Sequence, residues 1–150
     1  MSRIPRYQEH LKTGFTGEAA SAARCRAYAE RAERDGLPNL AKHWLQMAAA
    51  KDRLAIELLE ASEQVRGSNA DLANALAEER YENDVLYPKM IRDVDPETAD
   101  VLMKVIAAQK EHLRQLEALR NYLNASHSDV QLPAEVDKGT AAPFAGSPPS

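Results

Sequence analysis

The sequence predicts an all-α protein built as a four-helix bundle. The chain has 150 residues, of which 44% are hydrophobic but 5% are aromatic, and it contains six glycines. This composition favours helices over sheets. Four stretches also carry apolar residues at alternating steps of three and four, which is the spacing of one helix face. At this length we expect one domain.

The boundaries of the first two helices follow from capping residues. Helix A is expected to begin at Thr16, whose hydroxyl can accept hydrogen bonds from free backbone donors, and to end at Gly36. Pro38 suits the first turn of helix B, because that position needs no backbone donor. Helix B is expected to run to about Gln64.

The third and fourth helices have equally clear signals. Helix C is expected over residues 68–93, with a kink over residues 84–88, because Pro88 removes one helical hydrogen bond. The string Asp-Pro-Glu at residues 95–97 predicts the start of helix D, which should continue to about Asn124. The short connections from A to B and from B to C predict antiparallel neighbours.

The remaining segments have no helical periodicity. Residues 1–14 are polar and are interpreted as an N-terminal arm, followed by the bundle at residues 15–125. Residues 126–150 are rich in Pro, Ala, Gly and Ser and are interpreted as a polar, flexible C-terminal tail. The tail is either a solvated extension or a segment that docks on a partner or sister subunit through Phe144.

Charge and cysteine content exclude several classes of protein. The net charge is −4, with 19 basic and 23 acidic residues mixed along the helices, so a nucleic-acid-binding protein is not expected. Cys25 is the single cysteine, which excludes an intrachain disulfide and fits a reducing cytosol. No signal sequence and no membrane-spanning apolar segment are apparent. We therefore expect a soluble, cytoplasmic protein without membrane partners.

Polar residues interrupt each apolar stripe near its middle. In helix B the stripe is Leu40, Trp44, Met47, Lys51, Leu54 and Leu58, so Lys51 takes the place of a leucine. The interrupting residues of the four helices are Glu18, Lys51, Glu79 with Glu82, and Gln109 with His112. Burying an unpaired charge costs several kcal/mol. We therefore expect these side chains to share one polar layer.

Three short strings carry a resemblance to a known family. They are Thr-Gly-Glu-Ala at residues 16–19, Glu-Arg-Tyr-Glu with Leu-Tyr-Pro at residues 79–88, and Gln-Lys-Glu-His at residues 109–112. Together they resemble the rubrerythrin branch of the ferritin-like superfamily, over about residues 13–123. The resemblance implies an antiparallel ferritin-like four-helix bundle that forms a homodimer. It also implies metal ligands at Glu18, Glu79, Glu82 and His112, and packing roles for Tyr81 and Tyr87.

The chain departs from the family pattern at three positions. Lys51 and Gln109 stand where the family has bridging carboxylates, and Leu54 stands for a histidine ligand. Two divalent ions need roughly four carboxylates to approach neutrality, so a full diiron centre is not expected. Two alternatives remain. One is a single Fe, Mn or Zn ion on the four surviving ligand positions; the other is a metal-free cluster in which the Lys51 ammonium replaces the metal.

Three functions follow from these alternatives. The first is a metal-free or mononuclear dimeric scaffold or adaptor, with its interface on the helix faces that bear Trp44 and on the tail. The second is a redox enzyme that reduces peroxide or oxidises ferrous iron at Glu18, Glu79, Glu82 and His112. The third is catalysis by Lys51 itself, because an incompletely compensated buried amine can act as a base or nucleophile.

Overall fold

The structure, a computed structural model, describes residues 6–132, and these residues form helices without any strand. The predicted all-α class is therefore confirmed. The chain divides into two compact units, with the boundary between Gly67 and Ser68. Among residues 6–132, no helix is both long and apolar enough to cross a bilayer. The tail residues 133–150, including Phe144, and residues 1–5 lie outside the described residues.

The first unit is an antiparallel pair of helices, α1 (Tyr7–Arg34) and α2 (Pro38–Ala61). Contacts between them run in opposite directions along the chain: Tyr7 meets Glu63, and Tyr28 meets Trp44. The start of α2 at Pro38 and the antiparallel connection agree with the sequence prediction. The end at Ala61 lies three residues before the expected one.

Small side chains form the contact between α1 and α2. The buried residues are Ala22, Cys25, Ala29 and Ala32 on α1, and Ala41, Ala48 and Ala55 on α2. Their spacing of three, four or seven keeps each set on one helix face. Because the distance between two helix axes depends on the side chains at the contact, these residues permit a close approach.

The predicted core face of α2 is wrong in one respect. Leu40, Met47 and Leu54 were expected to be buried, but they are 44%, 47% and 49% exposed. Each of them directly precedes one of the three buried alanines in the sequence, so the buried face lies about 100° around the helix from the leucine stripe. The pattern of large apolar residues does not reveal this rotation, because alanine is also common on exposed helix faces.

Helix α1 begins at Tyr7, so the predicted start at Thr16 is wrong and residues 7–14 are helical rather than an arm. The added turns lie against the end of α2, where Gln8 Nε2 donates to the Ser62 carbonyl at 3.4 Å. Gly14 lies within this helix and close to Leu58: a Cβ atom at residue 14 would be 3.2 Å from Leu58 Cδ1, which is a tight contact. Tertiary contact thus overrides the weak helix propensity of this polar segment.

The second unit contains α3 (Ser68–Tyr81), a π-helical turn (Glu82–Leu86), α4 (Tyr87–Arg92) and α5 (Pro96–Ser126). The π turn coincides with the kink predicted before Pro88, which has no backbone N–H to donate. Asn83 is buried within this turn, and its Nδ2 donates to the Ile106 carbonyl on α5 at 2.9 Å. This bond fixes the turn against α5.

Asp95 caps α5 as the sequence predicts. Its carboxylate accepts hydrogen bonds from the backbone N–H of Thr98 at 2.9 Å and from the Thr98 hydroxyl at 2.7 Å. The helix ends at Ser126, close to the expected Asn124, and His127 follows in the left-handed conformation with φ of 52°. Both ends of α5 are therefore determined by local sequence signals.

We predict that Asp95→Ala lowers the midpoint temperature of unfolding at pH 7. The hydrogen bonds from Thr98, the backbone one first, hold the pKa of Asp95 below its ordinary value. The stabilisation is therefore complete above the unfolded-state pKa of about 3.9 and is lost as the pH falls through the lower folded-state pKa. Thermal unfolding followed by circular dichroism should show the difference from wild type shrinking at low pH. The control is Asp100→Ala, on the exposed surface of the same helix; an equal effect of both variants at pH 7 would contradict the capping role.

Candidate functional site

Glu18 and Lys51 form an ion pair between α1 and α2. Lys51 Nζ donates to Glu18 Oε2 at 3.2 Å, and the two side chains are 26% and 32% exposed. Both polar interruptions of the first unit are therefore brought together, as the sequence predicts. The Lys51 ammonium supplies the positive charge beside Glu18 that a metal ion would otherwise supply.

A second ion pair lies nearby in the same unit and was not predicted from the sequence. Arg26 Nη1 donates to Asp52 Oδ2 at 2.8 Å, and about half of each side chain is exposed. The pair is well solvated, so it contributes little to stability. Asp52 follows Lys51 directly in the sequence. Two neighbouring residues of α2 therefore both form ion pairs with α1, Lys51 as the donor and Asp52 as the acceptor.

In the second unit, Gln109 holds Glu82. Gln109 is buried on α5, and its Nε2 donates to Glu82 Oε2 at 2.6 Å. Glu82 is the first residue of the π turn, so the turn begins where this carboxylate meets α5. A carboxylate at position 109 could bind one cation with each of its two oxygens, whereas the amide nitrogen of Gln109 can only donate hydrogen bonds. Gln109 therefore gives Glu82 a hydrogen-bond donor, but it adds no positive charge.

Glu79 and His112 lie together one turn away. His112 Nδ1 is 3.7 Å from Glu79 Oε1, which is within ion-pair range if the imidazole is protonated. The same offset of three residues separates Glu79 from Glu82 and Gln109 from His112, so the two pairs are in register between the two helices. The Glu79 Oε2 atom and the Gln109 Oε1 atom are buried and accept no hydrogen bond from the described residues.

Two other positions named by the sequence lie apart from these contacts. Tyr81 is 57% exposed, so its side chain is not packed in the interior as the resemblance implied. Tyr81 lies immediately before the π turn. Leu54, at the position of the family's histidine, offers no ligand atom and lies on the half-exposed side of α2.

The donor set does not fit a dinuclear metal centre. Within residues 6–132, no three His, Cys, Asp or Glu side chains are grouped closely enough to hold an ion. Glu18 accepts a hydrogen bond from Lys51, and Glu82 accepts one from Gln109. Glu79 and His112 contact each other, and neither is bound by a lysine or an amide of the described residues. Of the four metal ligands that the resemblance predicts, Glu18 and Glu82 accept hydrogen bonds from protein groups.

We predict that the Glu18–Lys51 pair contributes measurably to folding. A double-mutant cycle of Glu18→Gln and Lys51→Met should give a coupling energy of about 0.5–1 kcal/mol, because the pair is partly shielded from solvent. Urea denaturation of the four proteins measures this quantity. The matched control is the exposed pair, with Arg26→Met and Asp52→Asn, for which we expect a smaller value. A coupling energy of zero for Glu18 and Lys51, or one no larger than that of the control pair, would contradict this prediction.

No protein-family model matches the sequence, and a search of curated proteins finds no match either. The resemblance to rubrerythrins therefore stays a prediction from the motifs around Glu18, Glu79, Glu82 and His112.

Proposed function

We propose that this protein is a rubrerythrin-like protein that has lost the diiron chemistry of that family and serves as a dimeric scaffold or adaptor. The observation that carries the proposal is the ion pair between Lys51 and Glu18, at 3.2 Å. A cation that belongs to the chain stands beside the carboxylate that would be a metal ligand in the family.

Electrostatics supports the metal-free state of the first unit. Two like unit charges 4 Å apart repel by roughly 4 kcal/mol at an effective dielectric constant of 20, and a divalent ion doubles this value. The ammonium of Lys51 must therefore move away before a divalent ion can bind Glu18. In the second unit the Gln109 amide already donates to Glu82, so a metal would also have to displace that hydrogen bond.

The exposed side of α2 supports a partner-binding role. Leu37, Leu40, Trp44 and Met47 follow steps of three, four and three, and we call these four residues the Trp44 face. Three of them are 44–49% exposed, and the ring of Trp44 lies edge-on to that of Tyr28 with the centroids 5.1 Å apart. Contiguous exposed apolar side chains typically mark protein interfaces. A second copy of the chain is the partner that the rubrerythrin resemblance implies.

Catalysis by Lys51 gains no support from this geometry. A nucleophilic or basic amine needs a free lone pair, whereas Lys51 Nζ donates to a carboxylate. The arrangement is that of an ion pair, and we do not propose an enzymatic role for this residue.

We predict that the double variant Leu40→Gln, Met47→Gln weakens self-association at least about tenfold, since polar groups would then be desolvated in the interface. Sedimentation equilibrium and light scattering after size exclusion measure the dissociation constant. The control is Ile56→Gln, which is 53% exposed on α2 but lies off the Trp44 face. A wild-type protein that stays monomeric at about 100 µM, or a double variant that associates as wild type does, would contradict the dimer interface.

A second candidate is a redox protein with a single divalent ion in the second unit. The observation that favours it is the pair of buried acceptors, Glu79 Oε2 and Gln109 Oε1, that receive no hydrogen bond from the described residues. A buried acceptor without a donor costs about 1–3 kcal/mol, which a cation would recover. Glu79, His112 and the Gln109 amide oxygen would supply carboxylate, imidazole and amide ligands, which suit Fe(II), Mn(II) or Zn(II). Glu82 would first have to leave its hydrogen bond with Gln109 to join them. When bound, such an ion would supply the peroxide or ferrous-iron chemistry of the family.

Calorimetric titration with Zn(II) separates the two candidates. The scaffold proposal predicts no saturable site with a dissociation constant below about 100 µM. The redox candidate predicts one ion per chain and an affinity that falls about 10–100-fold in His112→Ala. The exposed His43 on α2 provides the control variant His43→Ala, which should match wild type in either case.

A further inference from the structure

An open groove lies in the first unit, at the end of α2 away from the Trp44 face. It has a volume of about 470 Å³ and is lined by Leu54, Leu58, Ala61, Glu18 and Glu57. Sites for small molecules typically measure about 300–1,000 Å³ and combine apolar walls with a few polar groups. The groove has both properties, since three apolar side chains and two carboxylates face it.

Two glutamates lie near this end of α2. The last turn of α2 contains no basic residue, although a helix C-terminus carries a partial negative charge that favours cations. Glu57 and Glu60 add two full negative charges there. Within residues 6–132, Glu57 takes part in no hydrogen bond or ion pair, whereas Glu18 is already bound to Lys51. The Glu57 carboxylate is therefore available to a cation in the groove.

The apolar walls restrict which cation fits. Leu54 and Leu58 are one turn apart on α2, and Gly14 faces Leu58 from α1 without a side chain. An inorganic ion would gain nothing from these walls, whereas an alkyl chain would be removed from water along them. Lys51 provides a precedent in the same unit, because its primary ammonium already binds Glu18 through a chain of four methylenes.

We propose that this groove binds a primary alkylammonium ion, with the ammonium on Glu57 and the alkyl chain against Leu54 and Leu58. The inference does not depend on the proposed function: Glu18 also lines the groove, but Glu57, which would bind the ammonium, is not one of the predicted metal ligands. It is also compatible with a dimer through the Trp44 face, because the groove starts about two turns further along α2.

Titration of the full-length protein with n-hexylamine at pH 7, followed by amide NMR, tests the proposal. We expect saturable shifts at Gly14, Leu54 and Glu57 with a dissociation constant in the millimolar range. Shortening the ligand to n-butylamine should weaken binding by up to about fourfold for each methylene. Hexanol should bind more weakly than hexylamine, and hexanoate should not bind.

Two matched variants separate binding from stability. Glu57→Gln should weaken hexylamine binding about two- to fivefold, and it should raise the unfolding temperature because it removes negative charge from the helix C-terminus. Glu60→Gln should raise the unfolding temperature in the same way, but it should leave the dissociation constant unchanged, since Glu60 does not line the groove.

Three results would overturn the proposal. The first is the absence of shifts at about 50 mM hexylamine, including the case in which a second copy of the chain covers the groove. The second is an equal response to hexylamine and hexanol. The third is an affinity that Glu57→Gln and Glu60→Gln change equally. Metal binding and dimerisation are measured separately, so a failure of this proposal is distinguishable from a failure of the proposed function.

Discussion

The close contact between α1 and α2 through alanine and cysteine side chains determines most features of the first unit. The buried alanines Ala41, Ala48 and Ala55 turn the leucine-rich side of α2 away from α1. The same contact brings Lys51 within 3.2 Å of Glu18. It also leaves the Trp44 face exposed at one end of α2 and the groove open at the other. Larger residues at these positions would separate the helices, and the ion pair, the exposed face and the groove would change together.

The polar residues of the two units differ in their hydrogen-bond partners. In the first unit, a charged donor meets a charged acceptor, and partial exposure lowers the cost of desolvation. In the second, an amide donor serves Glu82, while the buried atoms Glu79 Oε2 and Gln109 Oε1 receive no hydrogen bond from the described residues. The proposal of a bound metal ion therefore has better support at Glu79 and His112 than at Glu18, where Lys51 already supplies a positive charge.

Local sequence signals predict the parts of the fold that depend on local chemistry. The start of α2 at Pro38, the Asp95 cap and the kink before Pro88 each depend on chemistry within one or two helical turns. The sequence predicts all three correctly. The start of α1 and the buried face of α2 depend instead on contacts between helices, such as that of Gly14 with Leu58. The Glu18–Lys51 contact could be predicted because both residues interrupt apolar stripes. The groove could not, since its glutamate lies on an ordinary exposed position and its walls come from two helices.

The central claim is that the Lys51 ammonium takes the place of a metal ion beside Glu18. Crystals grown with an excess of Mn(II), with diffraction measured for anomalous scattering from manganese, test it most directly. The account predicts Lys51 Nζ within hydrogen-bonding distance of the Glu18 carboxylate and no anomalous peak at Glu18. An anomalous peak bound by Glu18, with the Lys51 side chain turned away from it, would contradict the account.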